Sequence, residues 1–291
     1  MFAEADRRFR YFVALFRCDV ATPCPATFVC GEMKVELFRE DRTYLPAEYQ
    51  CAVVAGVLGA EYCLPVHPPI VLDSKCQHLV LSTRTKQSRS EAQPYCEAEI
   101  DRGLALLAAL YSPDLFRTPL FRGWLRGGPP SPDLGLLVKG VDPIVLQSSS
   151  SPGKFSAALG AVAKVEGLQG RFDLMSRLVA KGFAEAPGEE SFLWLWTALE
   201  VFPMVGTTDI QPIPDFLSSY FGRPAVEVKT ALRIGWLFGM RSKLVHDGHL
   251  PLAPEERFLA LSRLEQLVLS VLRHAASLPY DGALDKVFGH A

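Results

Sequence analysis

The sequence predicts an α+β protein in two parts: a mixed α/β, strand-rich N-terminal domain over residues 1–147 and an all-α antiparallel helical bundle over 154–291. Three observations predict this division. Ser148 to Ser151, followed by Pro152 and Gly153, is the only low-complexity stretch, and it has the composition of a linker. Ahead of it, apolar runs are short, rich in β-branched and aromatic residues, and broken by proline or glycine, as strands are. Beyond it, apolar residues recur at helical spacing almost throughout.

Composition excludes several classes. Of 291 residues, 49% are hydrophobic and 21% charged, with a formal net charge of −2. A chain this apolar and this evenly charged is not disordered, and it has no glycine period, heptad run or strongly basic tail. The longest apolar stretch, Ala52 to Ala60, is nine residues with two glycines, so no membrane span and no membrane partner are expected. Met1 to Val20 mixes Asp6, Arg7, Arg8 and Arg10 with only a short apolar run, unlike a secretory leader, and a soluble cytoplasmic protein is the expectation. All seven cysteines (Cys18, Cys24, Cys30, Cys51, Cys63, Cys76 and Cys96) fall in the first third, odd in number and without a CxxC pair. That argues for reduced thiols in an N-terminal core rather than a disulfide framework or a zinc module, and no spacing to His67 or His78 matches a zinc pattern. Neither metal nor cofactor is expected.

Taken in order, strands are expected at Phe9–Arg17, Thr27–Phe38, Gln50–Val57, Pro69–Leu72 and His78–Thr85. One helix, from about Glu97 to Tyr111, carries Ile100, Leu104, Leu107, Ala108 and Tyr111 on one face. From Pro113 to Gln147, proline and glycine beside short runs such as Leu136–Val138 and Ile144–Leu146 suit edge strands or loops. In the second part, helices are expected at Phe155–Glu166 and Phe172–Ala184. The next opens on Glu189 and Glu190, which favour the dipole, and runs to Phe202 before Pro203; being apolar nearly all round, it reads as the central buried helix. Pro224 fits the first turn of a helix reaching His246, with Gly248 just past its end. Pro254 opens the last long helix. Short connections between such helices make an antiparallel bundle the natural architecture.

Of four histidines in the second part, His246 has the most chemical context: Arg241, Ser242, Lys243, Leu244, Val245, His246, Asp247, Gly248. At a helix C-terminus the carbonyl end of the dipole favours a protonated imidazole, which lets His246 act as base and acid near neutral pH. Five residues advance an ideal helix by about 140° beyond one turn, so Arg241 and His246 do not share a face. Either the helix unwinds before His246, or the two converge with groups from another helix or another subunit. Arg241 continues the stripe of Ile234 and Phe238 and needs an anionic partner, for which Glu200, the lone acid inside an apolar helix, is the candidate. The structural alternative is an Arg241–Glu200 pair without catalysis, with His246 capping a helix. Trp194 and Trp196 read as core or interface aromatics, and Gly235 with Gly239 would admit another helix closely.

Ser191-Phe-Leu-Trp-Leu-Trp-Thr-Ala-Leu-Glu200 and, about 40 residues later, Met240-Arg-Ser-Lys-Leu-Val-His-Asp-Gly248 together resemble the HEPN superfamily, in particular its Apea-like branch. The resemblance covers residues from about 155 to 280. It implies a helical bundle that dimerises and brings two Arg-x4-His motifs together, as in the metal-independent endoribonucleases of that superfamily. Carried over, His246 assists attack of the ribose 2′-hydroxyl on the adjacent phosphate and Arg241 steadies the charge that develops, with Ser242 and Lys243 completing the motif. Such proteins serve as toxins or antiviral effectors, which implies an antitoxin or regulatory partner.

Charge gives limited help. Residues 151–291 hold 14 Lys and Arg against 15 Asp and Glu, so no broad basic field exists there. A local RNA-binding patch could form from Arg223, Lys229, Arg233, Arg241 and Lys243, with His249 just beyond the helix stop; a solvated helix face is the plainer reading of Lys229 and Arg233. Two functions stand side by side: a homodimeric ribonuclease acting on RNA, and a silent HEPN module that binds a nucleotide, nucleic acid or protein. Ser242, where many active members carry Asn, Asp or His, and the weak basicity favour the second. An enzyme in the N-terminal part is a third, but no phosphate loop, nucleophile elbow or His-Glu metal motif occurs there.

Overall fold

The computed structural model describes residues 9–20, 27–30, 33–39, 50–55, 61–69, 77–116, 119–126, 131–137, 144–146, 152–164, 167–249, 253–280, 282 and 284–289. They form an α+β protein that divides into two compact units, Met1–Leu107 with Thr118–Gly153, and Ala108–Arg117 with Lys154–Ala291. The ends of the expected strands at 56–57 and 70–72, the helix end at 165–166, the serine run and His290 lie outside the described residues.

In the first unit the strands are β1 (Arg10–Val20), β2 (Thr27–Cys30), β3 (Met33–Arg39), β4 (Gln50–Ala55), β5 (Glu61–Pro69), β6 (Gln77–Thr85), β7 (Phe121–Arg126), β8 (Ser131–Leu137) and β9 (Ile144–Leu146). They make one sheet in the order β2-β3-β6-β1-β7-β8-β5-β4, with β9 parallel to the end of β1. Phe12 to Phe16 are buried without alternation, so β1 is covered on both faces, as a central strand is. The expected single strand Thr27–Phe38 is two antiparallel strands, with Cys30 opposite Met33. β5 escaped sequence reading because Pro65, Pro68 and Pro69 argue against a strand; a register shift between Gln50 and Cys51 of β4 accommodates them. The expectation of edge strands or loops after Pro113 is corrected for β7, which lies between β1 and β8. Phe121 and Trp124 are buried there, and Trp124 meets Phe12 edge-on at 5.2 Å between centroids.

Helix α1 (Arg89–Leu110) begins two turns before the expected Glu97. Glu91 reaches back to Ser88 as in one half of a capping box: the Ser88 backbone N–H donates to Glu91 Oε2 at 3.1 Å and the Ser88 hydroxyl to the same oxygen at 2.6 Å. This start outweighs Pro94, which costs the helix one hydrogen bond. Gly103 lets α1 lie against the sheet, since a Cβ there would stand 2.6 Å from Met33 Sδ.

The second unit is helical, with α2 (Pro152–Lys164), α3 (Leu168–Ala184), α4 (Glu189–Val201), α5 (Pro212–Phe221), α6 (Ala225–Ala231), α7 (Ile234–Asp247), α8 (Pro254–Ala275) and the short α9 (Asp285–Phe288). Helix α4 packs against α3, α7 and α8. Its Phe192, Leu195, Trp196, Ala198 and Leu199 are buried, at about 1.5–3 kcal/mol for each large side chain. The α3–α4 crossing is tight: a Cβ on Gly182 would stand 2.6 Å from Leu195 Cγ, and the buried Ser191 hydroxyl donates to the Gly182 carbonyl at 2.7 Å. Helix α5 was not expected, its apolar residues being interleaved with Pro212 and Pro214.

The single helix expected from Pro224 to His246 breaks at Leu232 and Arg233, where Arg233 takes a left-handed conformation with φ 54°. Burial explains the break. Leu232 and Ile234 are both fully buried, yet in a continuous helix they would point about 200° apart. The left-handed residue re-phases the apolar stripe so that α6 buries Val228 and Ala231 and α7 buries Ile234, Leu237, Met240 and Leu244.

Candidate functional site

Glu200 and Arg241 come together across α4 and α7. Arg241 Nη2 stands 2.8 Å from Glu200 Oε1, each side chain about one-third exposed. The indole N–H of Trp196, one turn before Glu200, donates to the same oxygen at 2.9 Å. Trp196 is 1% exposed, so the carboxylate satisfies a donor that would otherwise be buried without a partner. The Trp196 ring also lies 6.0 Å from the Phe238 ring of α7, which fixes the two helices beside the pair. Sequence reading took Trp196 as a core or interface aromatic without a polar role; the signal available was its i, i+4 spacing to Glu200 on one helix face.

His246 is in a different setting. Helix α7 continues unbroken through Asp247, so the alternative of an unwound turn before His246 is corrected. Gly248 then adopts φ 76° and its N–H caps Leu244 O, which ends the helix one residue past Asp247. His246 is solvent-exposed and lies about 140° round the helix from Arg241. It shares its side of α7 with Gly235, Gly239 and Ser242, at i, i+4, i+7 and i+11. Gly235 and Gly239 are exposed, and a Cβ on either would meet nothing within 4 Å, which corrects the expectation of a close helix at this pair within the chain.

The remaining candidate residues are placed as follows. Ser242 is half-buried and Lys243 exposed. Lys229 Nζ donates to Gln211 Oε1 at 3.4 Å. The Arg233 guanidinium lies 4.7 Å from the Trp236 ring centroid, and Arg223 pairs with Glu227 while covering Phe288. His249 Nδ1 lies 3.0 Å from the Asp247 carbonyl oxygen, which can only accept, so Nδ1 is the donor in this contact. The basic residues expected as one patch are thus divided by the break at Arg233, and most are engaged locally. Trp194, expected as core or interface, is half-buried beneath Lys181, whose Nζ lies 4.5 Å from the ring centroid. No group of three or more metal-ligating side chains occurs among the described residues. No helix is long and apolar enough to cross a membrane among them.

Chemically, α7 carries a fixed cation held by a carboxylate on one side and a titratable imidazole on another. Compared with known proteins, the chain matches no family model, no curated protein and no solved structure.

Proposed function

We propose that the helical unit is a metal-independent endoribonuclease of HEPN type that works as a homodimer. The observation that carries the reading is the angular separation of Arg241 and His246 on an unbroken helix, with His246 on an open face lined by Gly235, Gly239 and Ser242. A composite site is then completed by the second copy, whose helix can approach closely where no Cβ intervenes. In the reaction, His246 of one copy accepts the proton of a ribose 2′-hydroxyl as that oxygen attacks the adjacent phosphorus. The 5′-oxygen leaves with a proton from an imidazolium, and a 2′,3′-cyclic phosphate remains. Arg241, with donors beyond the one held by Glu200, stabilises the charge on the pentacoordinate phosphorus. Ser242 and Lys243, beside Arg241 on α7, and the exposed His249 supply further phosphate contacts, whereas Lys229 and Arg233 are engaged by Gln211 and Trp236. A toxin or antiviral role with a regulatory partner follows from the HEPN resemblance. The reading is tested by RNA cleavage in excess EDTA, comparing wild type with Arg241→Ala and His246→Ala; equal cutting by the variants overturns it.

A second reading, a silent HEPN module that binds without cutting, is favoured by one specific observation: Arg241 already has an anionic partner in Glu200. A dimer that binds RNA and never cuts it selects this reading.

A further inference from the structure

A second imidazole of the helical unit stands beside a hydroxyl, apart from the motif on α7. Helices α5 and α8 pack together and bring Ser219 Oγ to 3.0 Å from His274 Nε2. That is the reach a base needs to take the proton of a nucleophile. Ser219 is solvent-exposed while His274 is half-buried, so an electrophile can approach the hydroxyl from water with the base already behind it.

The imidazole is held in place by packing. Its ring lies 4.6 Å from the Phe216 ring and 5.4 Å from the Tyr220 ring, both on α5, which fixes Nε2 toward Ser219 before any reaction. Burial also lowers the His274 pKa, so the ring is neutral at pH 7 and able to accept a proton. Ser219 has one other acceptor, the Phe216 carbonyl at 3.5 Å, which is too long for a good O–H···O bond. With the ring proton on Nδ1, Nε2 is therefore the better acceptor of the Ser219 hydroxyl. Neighbouring side chains are occupied: the Ser218 hydroxyl donates to the Arg223 carbonyl at 2.7 Å, and Asp215 Oδ1 accepts from Gln211 at 2.9 Å. The backbone N–H of Ser219, well past the first turn of α5, is used by the helix and leaves no local donor for an oxyanion. The chemistry open to the pair is thereby confined to acyl groups that carry a good leaving group.

We propose that Ser219 and His274 form a nucleophile and base pair that takes an acyl group from an activated acyl ester onto Ser219. Oγ attacks the carbonyl carbon as its proton passes to Nε2, and the new Oγ–carbon bond forms. The bond from that carbon to the leaving oxygen breaks, and the leaving group departs as an anion with the electron pair. The imidazolium then returns its proton to water. A leaving group that departs without a proton suits a site with no oxyanion donor of its own. The product is an ester on Ser219, which no longer carries the proton of the α5–α8 hydrogen bond, so the modification falls on a contact between two helices. The pair is independent of whether the helical unit cuts RNA.

The test treats the full chain with p-nitrophenyl acetate at neutral pH and locates acetyl groups by peptide mass spectrometry. Alkaline hydroxylamine strips esters and spares amides, which separates serine from lysine products. Wild type is expected to carry an ester on Ser219, formed about ten-fold or more faster than on the exposed Ser90, whose neighbour is only the Ser88 hydroxyl. His274→Gln can still accept from Ser219 but cannot hold its proton, and it is expected to slow the labelling by about 100-fold or more. Ser219→Ala loses only an exposed hydroxyl and is expected to remove the ester from that peptide. Circular dichroism checks the fold of each variant, and the comparison with Ser90 within wild type stands even where His274→Gln fails to fold. The chain carrying Arg241→Ala/His246→Ala is expected to label as wild type does, which keeps this outcome separate from RNA cleavage. No ester on Ser219 in wild type, a rate no faster than at Ser90, or an equal rate in folded His274→Gln each overturns the proposal.

Discussion

Replacing Glu200 by leucine removes the acceptor shared by Trp196 and Arg241. The two losses differ in size. The Arg241 pair is about one-third exposed, and pairs of that kind contribute about 0–1 kcal/mol. The indole of Trp196 is buried, and a buried N–H left without an acceptor costs about 1–3 kcal/mol. Most of the destabilisation should therefore come from the tryptophan, and a double-mutant cycle isolates it. In a Trp196→Phe background no N–H remains, so Glu200→Leu should cost only the ion-pair share. A coupling of about 1 kcal/mol or more between the substitutions is expected in urea unfolding followed by far-UV circular dichroism. Glu200→Gln, which keeps a side-chain oxygen, should lose little. Additivity within about 0.3 kcal/mol would refute the reasoning, because it would mean that the carboxylate does not serve the indole.

Three further outcomes follow from the packing. Gly182→Ala should destabilise by about 1–3 kcal/mol, since its Cβ meets Leu195 at 2.6 Å, whereas Gly160→Ala, with nothing within 4 Å, should stabilise by about 0.5–1 kcal/mol; thermal unfolding that ranks them the other way contradicts the tight α3–α4 crossing. His274 is half-buried, its Nε2 3.0 Å from Ser219 Oγ and its ring against Phe216 and Tyr220, and burial lowers its pKa. The unfolded chain then binds the proton more readily, so stability should fall as pH drops from about 7 through the unfolded histidine value near 6.5, and His274→Gln should flatten that slope; an unchanged slope sinks the assignment. Burial, with Glu99 and Glu97 adding to it, pushes the Cys96 thiol up to about 11, so iodoacetamide at mildly alkaline pH should leave it unmodified in the folded chain and label it after unfolding, as read by peptide mass spectrometry.

The parts of the fold legible in the sequence are those with helical apolar spacing or a continuous apolar, β-branched run. β1 and β6 announce themselves as apolar runs rich in β-branched and aromatic residues, and α3, α4 and α8 through helical apolar spacing with Pro or Gly near their ends. β5 and α5 were hidden by prolines that a register shift and a helix start tolerate. The break between α6 and α7 has no glycine or proline to mark it, because it answers a tertiary demand: Leu232 and Ile234 both seek the core. The interior place of β7 depends on Phe12 meeting Trp124 across strands more than 100 residues apart. At the candidate site, Glu200 was legible as the partner of Arg241 because it is the only acid in the apolar stretch from Trp196 to Phe202. The angular separation of Arg241 and His246 on α7 was legible from helix geometry.

The most direct measurement of the central claim is cleavage of a panel of structured and single-stranded RNAs in excess EDTA by wild type, Arg241→Ala and His246→Ala, each confirmed as a folded dimer. The account predicts cutting by wild type with 2′,3′-cyclic phosphate ends and loss of cutting by about 100-fold or more in each variant. Cutting that persists undiminished in both variants, or that yields no cyclic phosphate, would contradict it.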